Sequence, residues 1–112
     1  MALFELRLKN GTVFENGECG FADGKLWCWL KDVTFAEAFA AFSDSYNISE
    51  IHYRHIDKET IYYGFNDIDV IRKTEYEPGA YTVDVRLIGT DIHYEERDIP
   101  QGTEDVSEDG GV

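Results

Sequence analysis

Short segments in which every second residue is apolar, separated by turn-forming residues, constrain the fold of this chain more than any other feature. In residues 3–9 three apolar side chains alternate with charged ones, which is the pattern of a β-strand with one buried face. Asn10-Gly11 follows directly and is a strong signal for a tight hairpin turn. Residues 12–15 are then predicted to return as the second strand, so the sequence indicates a sheet that begins with a hairpin.

Further strands are predicted from the same alternation and from the content of β-branched and aromatic residues. They cover residues 25–30, 48–55, 60–65, 68–73 and 81–88. Trp27 and Trp29 are expected on one face of the first of these, because successive side chains of a strand point to opposite faces. Gly64, inside an aromatic strand, predicts a bulge or a close approach of another backbone segment. Residues 16–24 are predicted to form a loop.

One segment has the pattern of a helix. Thr34 and Glu37 have the spacing of a capping box, in which each side chain bonds the backbone amide of the other residue. One apolar stripe two turns long follows, and its members are Phe35, Ala38, Phe39 and Phe42. Residues 43–45 end the helix. Because so short a helix is marginal alone, it is expected to lie on a sheet that receives its phenylalanines.

These elements predict an α+β fold that is mainly β. The expected architecture is an antiparallel, strongly curved sheet of about six to seven strands with one short helix packed on it. Residues 1–90 are expected to form a single folded domain, since 112 residues leave room for one modest core. Residues 91–100 fit either an extra strand or an extended arm. Residues 101–112 have the composition of a disordered acidic tail.

The charge of the chain excludes several classes of function. The sequence has 23 acidic and 10 basic residues, a formal net charge of −13. A surface with this much negative charge repels nucleic acid and anionic membranes. We therefore expect neither as a direct partner. No apolar window approaches the length of a membrane span, and the first residues lack the pattern of a secretory signal. The sequence therefore predicts a cytoplasmic protein of a bacterial host cell.

No catalytic, cofactor or metal site is predicted. His52 and His55 are three positions apart on a predicted strand, so their side chains point to opposite faces and cannot easily share an ion. Cys19 and Cys28 match no zinc or redox motif and are expected to remain thiols. The residue types of a nucleophilic site are present but without a recognisable constellation. The sequence thus favours a protein that is not an enzyme.

Protein binding is the class of function that these exclusions leave. Tyrosine is enriched at protein interfaces, and carboxylates speed encounter with basic surfaces. Six carboxylates that are expected to be exposed beside aromatic residues, at strand ends and in loops, are the predicted partner-binding residues. They are Asp57, Glu59, Asp67, Asp69, Glu75 and Glu77. The competing interpretation is that the negative surface serves solubility alone.

Residues 33–44, 48–53 and 63–68 give the chain a general pattern that resembles short acidic proteins encoded in prophages of Gram-positive gut bacteria. The resemblance implies two classes of function, namely anti-CRISPR-type inhibitors and virion accessory proteins of the phage tail or head. It supplies no binding motif, so no functional residue is carried over.

The leading hypothesis from the sequence is a small acidic inhibitor of phage or mobile-element origin that is not an enzyme. Its carboxylates would imitate phosphates and block a nucleic-acid-handling effector, for example a Cas effector, by binding its basic surface. The alternative is a structural accessory protein of the virion. The oligomeric state is left open by the sequence.

Overall fold

A computed structural model describes residues 4–99 of the chain. It contains seven strands and two short helices. The strands are β1 Phe4–Arg7, β2 Val13–Glu15, β3 Glu18–Ala22, β4 Lys25–Lys31, β5 Glu50–His55, β6 Lys58–Glu77 and β7 Ala80–Asp98, and the helices are α1 Phe35–Phe42 and α2 Ser45–Ile48.

All seven strands belong to one antiparallel sheet with the order β2-β1-β5-β6-β7-β4-β3. The predicted class, α+β and mainly β, is therefore confirmed. The sheet is curved, so that β1 and β4 approach each other although they are far apart in strand order. Gly17 lies between them, where a Cβ atom would come within 3.1 Å of Leu6 Cδ1 and 3.4 Å of Leu30 Cδ2. The concave face thus encloses one core.

β6 and β7 form a long hairpin in the interior of the sheet, and the other strands pair along parts of it. Two predicted strands, residues 60–65 and 68–73, are parts of the single strand β6, and β7 continues through the stretch from residue 91 to Asp98. We call the paired residues 58–63 and 93–98 the open half of the hairpin, and residues 67–77 and 80–88 the tip half. β5 pairs with the open half and β4 with the tip half.

The two halves meet where two glycines allow the backbones to touch. Gly64 has a φ of 98°, and a Cβ there would lie 2.7 Å from Thr90 O. A Cβ on Gly89 would lie 2.0 Å from Gly64 O and 2.6 Å from Phe65 Cα. The strand register shifts between Tyr63 and Phe65. The predicted bulge or close approach at Gly64 is therefore confirmed, and it comprises both features.

The concave face of the sheet and the two helices supply the core. Its largest fully buried side chains include Leu6, Leu8, Leu26, Leu30, Phe42, Ile48, Ile51, Phe65, Val83, Val85 and Leu87. The predicted capping box is present, because Glu37 N donates to Thr34 Oγ1 at 3.0 Å and Thr34 N donates to Glu37 Oε1 at 2.8 Å. Trp27 and Trp29 share the convex face of β4, as predicted, because the core-facing residues alternate with them.

Three sequence predictions differ from the structure. Only half of the apolar stripe of α1 is buried: Ala38 and Phe42 enter the core, whereas Phe35 and Phe39 are exposed. The predicted strand from residue 48 begins at Glu50, since Asp44 caps a second helix by accepting from Tyr46 N at 3.0 Å.

The third difference is that residues 18–22 form β3 instead of a loop. β3 is held by pairing with β4 and by the Phe21 ring, which packs against Tyr62, Phe65 and Tyr94 at centroid distances of 5.7, 6.4 and 5.8 Å. The tail predicted for residues 101–112 lies outside the described residues.

Candidate partner-binding surface

Every lysine and arginine of the chain is engaged with another side chain within residues 4–99. Seven of them pair with carboxylates, namely Arg7, Lys25, Arg54, Lys58, Arg72, Arg86 and Arg97. The other three lie over tyrosine rings, which are those of Tyr46 for Lys9, Tyr76 for Lys31 and Tyr81 for Lys73. The basic side chains are therefore partnered within the protein, although most of them remain about half exposed.

Many carboxylates consequently have no ion-pair partner within the described part of the chain. They are Glu15, Glu18, Asp23, Asp32, Glu37, Asp44, Asp57, Asp67, Glu75, Glu77, Asp91, Glu95 and Glu96. Some of these accept backbone hydrogen bonds at caps and turns, but such bonds leave the charge in place. A partner can therefore reach many carboxylates whose charge no direct ion pair within the described residues neutralises.

The six predicted binding residues are spread along the hairpin and do not form one patch. Asp57 and Glu59 lie at its open end, and Glu77 lies at its tip, where Glu75 accepts from Gly79 N at 3.1 Å. Asp67 and Asp69 lie between these ends, and they differ in environment. Both are exposed, but only Asp69 has a basic partner within the described residues, since it accepts from Arg86 Nε at 2.6 Å.

The expected exposure of Glu59 is wrong, because only 5 % of this residue is exposed. Its carboxylate accepts hydrogen bonds from Arg97 Nη2 at 2.7 Å and from Arg54 Nε at 3.4 Å, and it also lies 3.2 Å from His52 Nδ1. Burial by itself would raise the pKa of Glu59, but the hydrogen bonds from Arg97 and His52 outweigh it and the net pKa is lowered. Glu59 therefore organises this end of the sheet and presents little charge to a partner.

The tip half has its own buried carboxylate, Asp84, which is 3 % exposed. Its oxygens accept from Thr74 Oγ1 at 2.6 Å, Thr82 Oγ1 at 2.7 Å and Arg72 Nε at 3.2 Å. The guanidinium of Arg72 also lies over the Trp27 ring, 4.8 Å from its centroid, and that of Arg86 lies 5.3 Å from the same centroid. The convex face of the tip half is thus an internally satisfied network.

The open half carries an aromatic groove. Phe21, Tyr62 and Tyr94 contact one another with centroids 5.7 to 5.8 Å apart, and Glu96 and Cys19 also line this groove of about 400 Å³. We call it the Tyr94 groove, because Tyr94 is its most exposed ring, at 53 %. A groove with aromatic walls, a carboxylate and no lysine or arginine in its lining suits a cationic side chain.

Ionisable groups beneath the groove stay neutral at physiological pH. Burial raises the pKa of the Tyr62 phenol, and the charges of nearby groups, Glu96 among them, raise it further. Burial, followed by the effects of Cys19 and Glu18, raises the pKa of Tyr53 to about 12. These tyrosines act as hydrogen-bonding apolar surfaces and not as bases.

The remaining candidates for chemistry do not converge. His52 contacts Glu59 on one face of β5, whereas His55 stacks on Tyr53, with centroids 5.0 Å apart, on the other face. No group of three or more His, Cys, Asp and Glu side chains within residues 4–99 is arranged to hold a metal ion. Cys19 and Cys28 occupy opposite positions on β3 and β4 as free thiols. Burial raises the pKa of both, so neither is an activated nucleophile.

Sequence reasoning missed the groove because one of its walls is β3, which was predicted as a loop. The signal was present, since Phe21 is a lone large apolar residue between two turn signals, Asn16-Gly17 and Asp23-Gly24.

Neither helix of the described residues is long and apolar enough to cross a membrane. Comparison of the chain with protein-family models, curated protein sequences and solved structures finds no match.

Proposed function

We propose that this protein is an acidic inhibitor, without enzymatic activity, that binds the basic surface of a nucleic-acid-handling effector in the cytoplasm of a bacterial host. Its exposed carboxylates take the places of phosphates, as in anti-CRISPR-type inhibitors. The observation that carries the proposal is that every Lys and Arg side chain contacts a carboxylate or a tyrosine ring of the same chain. A basic partner therefore meets carboxylates whose charge nearby lysines or arginines do not cancel.

The open half of the hairpin is the best-suited part of this surface. Glu95 and Glu96 follow the exposed Tyr94 on β7, and Glu96 lines the Tyr94 groove. Asp57 lies at the open end of the hairpin, and Asp91 lies beside the glycine junction. Positions held on paired strands are more rigid than positions on loops, so the carboxylates are preorganised for a fixed array of basic groups. The Tyr94 groove adds an apolar site for the stem of a lysine or arginine side chain.

The test is inhibition of DNA cleavage by a Cas9-type effector in the presence of increasing amounts of the protein. We expect cleavage to fall with protein concentration, and inhibition to weaken as salt is raised, because exposed charges are screened. The double variant Glu95→Gln/Glu96→Gln should inhibit much less than the natural sequence. Its matched control is Glu75→Gln/Glu77→Gln, which removes two carboxylates beside a tyrosine at the other end of the hairpin.

Three results would count against the proposal. Undiminished cleavage at large excess across several effectors contradicts inhibition of this class. Equal effects of the two double variants contradict the assignment to the open half and indicate a general effect of net charge. Inhibition that does not depend on salt contradicts the imitation of phosphates.

One observation favours a second candidate function, that of a structural accessory protein of a phage tail or head. β6 beyond Phe65 pairs with β7 on one edge, and no other strand of the described residues covers its second edge. An open edge can accept a strand from another copy of the chain. Light scattering and mass spectrometry of purified phage particles test this function, which a lasting monomer absent from particles would contradict.

A further inference from the structure

A second concave site lies between β2 and α1. It has a volume of about 530 Å³, which is within the range of small-molecule sites. Val13, Phe14 and Val33 are among its apolar lining residues, and Asp32, Glu37 and Asn47 are among its polar ones. We call it the β2–α1 groove. No lysine, arginine or histidine lines it.

Asn47 gives this groove an unsatisfied acceptor. The residue is 4 % exposed, and its Oδ1 has no hydrogen-bond partner among the described residues. Its amide orientation is fixed, because Nδ2 donates to Ala41 O at 3.3 Å. A buried carbonyl oxygen without a donor destabilises the folded state, so a ligand that brings a donor to Asn47 gains a bond that the protein alone leaves unmade.

The charged groups of the groove specify the charge of that ligand. Asp32 and Glu37 are both acidic and have no ion-pair partner within residues 4–99. Glu37 is held in place by the capping box, where Oε1 accepts from Thr34 N at 2.8 Å, so its second oxygen remains for a ligand. The site therefore offers acceptors and negative charge on a partly apolar wall.

A guanidinium group on an aliphatic stem matches all of these features. It is a planar cation with five donors and no acceptor, and its stem packs on apolar side chains. We propose that the β2–α1 groove binds an alkylguanidinium, which donates to Asn47 Oδ1 and to the carboxylates of Asp32 and Glu37. The group can belong to a free alkylguanidine or to an arginine side chain of another protein.

The experiment is a titration of the full-length, ¹⁵N-labelled chain followed by amide NMR signals. The probes are n-butylguanidine, N-acetylarginine methylamide and n-butylurea, a neutral molecule of nearly the same shape. We expect saturable shifts of the Asn47 side-chain amide and the Glu37 backbone amide with the two guanidines and none with the urea. Binding of n-butylguanidine alone indicates a free ligand, whereas binding of both indicates that the groove also takes an arginine side chain.

Variants separate the groove from the general negative charge. Glu37→Gln keeps the capping box, since glutamine serves at the same position, so α1 should remain folded while binding weakens roughly tenfold. Asp32→Asn should weaken binding similarly. Glu77→Gln, at the hairpin tip, is the control and should leave binding unchanged.

Three results would overturn the inference. The first is an equal response to n-butylguanidine and n-butylurea, and the second is equal weakening of binding by Glu37→Gln and Glu77→Gln. The third is an Asn47 amide that is unmoved by saturating guanidine and shows a lasting contact with water, which would identify a buried water as the missing donor. No partner protein enters the experiment, so its failure is distinguishable from a failure of the proposed function.

Discussion

The two halves of the β6–β7 hairpin share their strands and their pairing, but they handle charge differently. In the tip half the buried Asp84 is satisfied largely by the hydroxyls of Thr74 and Thr82. In the open half the buried Glu59 takes Arg54 and Arg97 instead.

Arg54 and Arg97 pair with the buried Glu59, so neither base is left for Glu95 and Glu96 of the open half, which have no ion-pair partner within residues 4–99. The tip half also has such carboxylates, namely Asp67, Glu75 and Glu77. Beside them, however, Lys73 of β6 and Lys31 of the neighbouring β4 make no ion pair within the described residues and lie over the rings of Tyr81 and Tyr76. Both halves therefore carry unpaired carboxylates, but only the tip half also has lysines that are not used in ion pairs.

The largest expected loss of stability comes from a substitution at the glycine junction between the two halves. Gly89→Ala would place a Cβ 2.0 Å from Gly64 O, and backbone atoms cannot yield as a flexible side chain can. We expect the free energy of unfolding to fall by roughly 3 kcal/mol or more, a large share of the stability of a small domain. Denaturant titration followed by circular dichroism measures it.

Gly64→Ala and Gly79→Ala form a matched pair that sharpens this test. Both glycines have positive φ, of 98° and 79°, but only at Gly64 would a Cβ meet backbone, with Thr90 O 2.7 Å away. Gly79→Ala should cost about 1–2 kcal/mol for the left-handed conformation alone, and Gly64→Ala clearly more. Equal costs would mean that the close approach does not hold the two halves together.

The next effect compares the two buried acids directly. Asp84→Ala leaves two threonine hydroxyls in a part-buried site without their acceptor, so we expect a loss of roughly 2–4 kcal/mol. Glu59→Ala should cost less, roughly 1–3 kcal/mol, because the half-exposed Arg54 and Arg97 can turn to water. Denaturant unfolding of both variants measures the difference, and a larger loss for Glu59→Ala would reverse the comparison.

Local patterns in the sequence predicted much of this fold. The capping box at Thr34, the shared face of Trp27 and Trp29 and the special backbone at Gly64 depend on neighbours in sequence or on strand periodicity. The burial of Glu59 was not predictable in this way, because it depends on Arg97, which is 38 positions away. Likewise, nothing local to Gly89 indicates that Gly64 lies against it.

The candidate sites were less predictable than the strands for the same reason. Composition identified an acidic protein, but which carboxylates remain uncompensated depends on the pairing of bases across strands. The β2–α1 groove joins residue 13 to residue 47 through tertiary packing. The spacing of residues in the sequence therefore predicts helices and strands, whereas the grooves and the unpaired carboxylates are visible only in the assembled sheet.

Glu59 also makes the stability of the protein depend on pH. The pKa of Glu59 is lowered in the folded protein, against the effect of burial, by Arg97 and His52. Stabilisation by this group is therefore complete above the ordinary pKa of a glutamate, about 4.3, and is lost as the pH falls below it. We expect Glu59→Gln to lose less stability than the natural sequence between about pH 6 and pH 3.

Asp98→Asn is the control for that measurement. Its carboxylate also has a lowered pKa, through Lys58, but the side chain is 83 % exposed and water screens the pair. The stability of this variant should therefore follow the natural sequence across the acid range. Parallel curves for Glu59→Gln and the natural sequence would show that Glu59 is not the acid-sensitive group of the open half.

The smallest expected effect concerns the Trp27 ring on β4, which packs beneath two arginines of the tip half. Trp27→Leu removes the ring beneath the guanidinium groups of Arg72 and Arg86, whereas Trp29→Leu removes a ring on the same face that contacts Gly20. Cation–π contacts at partly exposed sites contribute about 0.5–1 kcal/mol, so Trp27→Leu should be the more destabilising by about that amount. If the two variants have equal stability, the Trp27 ring does not hold Arg72 and Arg86, and the contrast between the halves rests on their ion pairs alone.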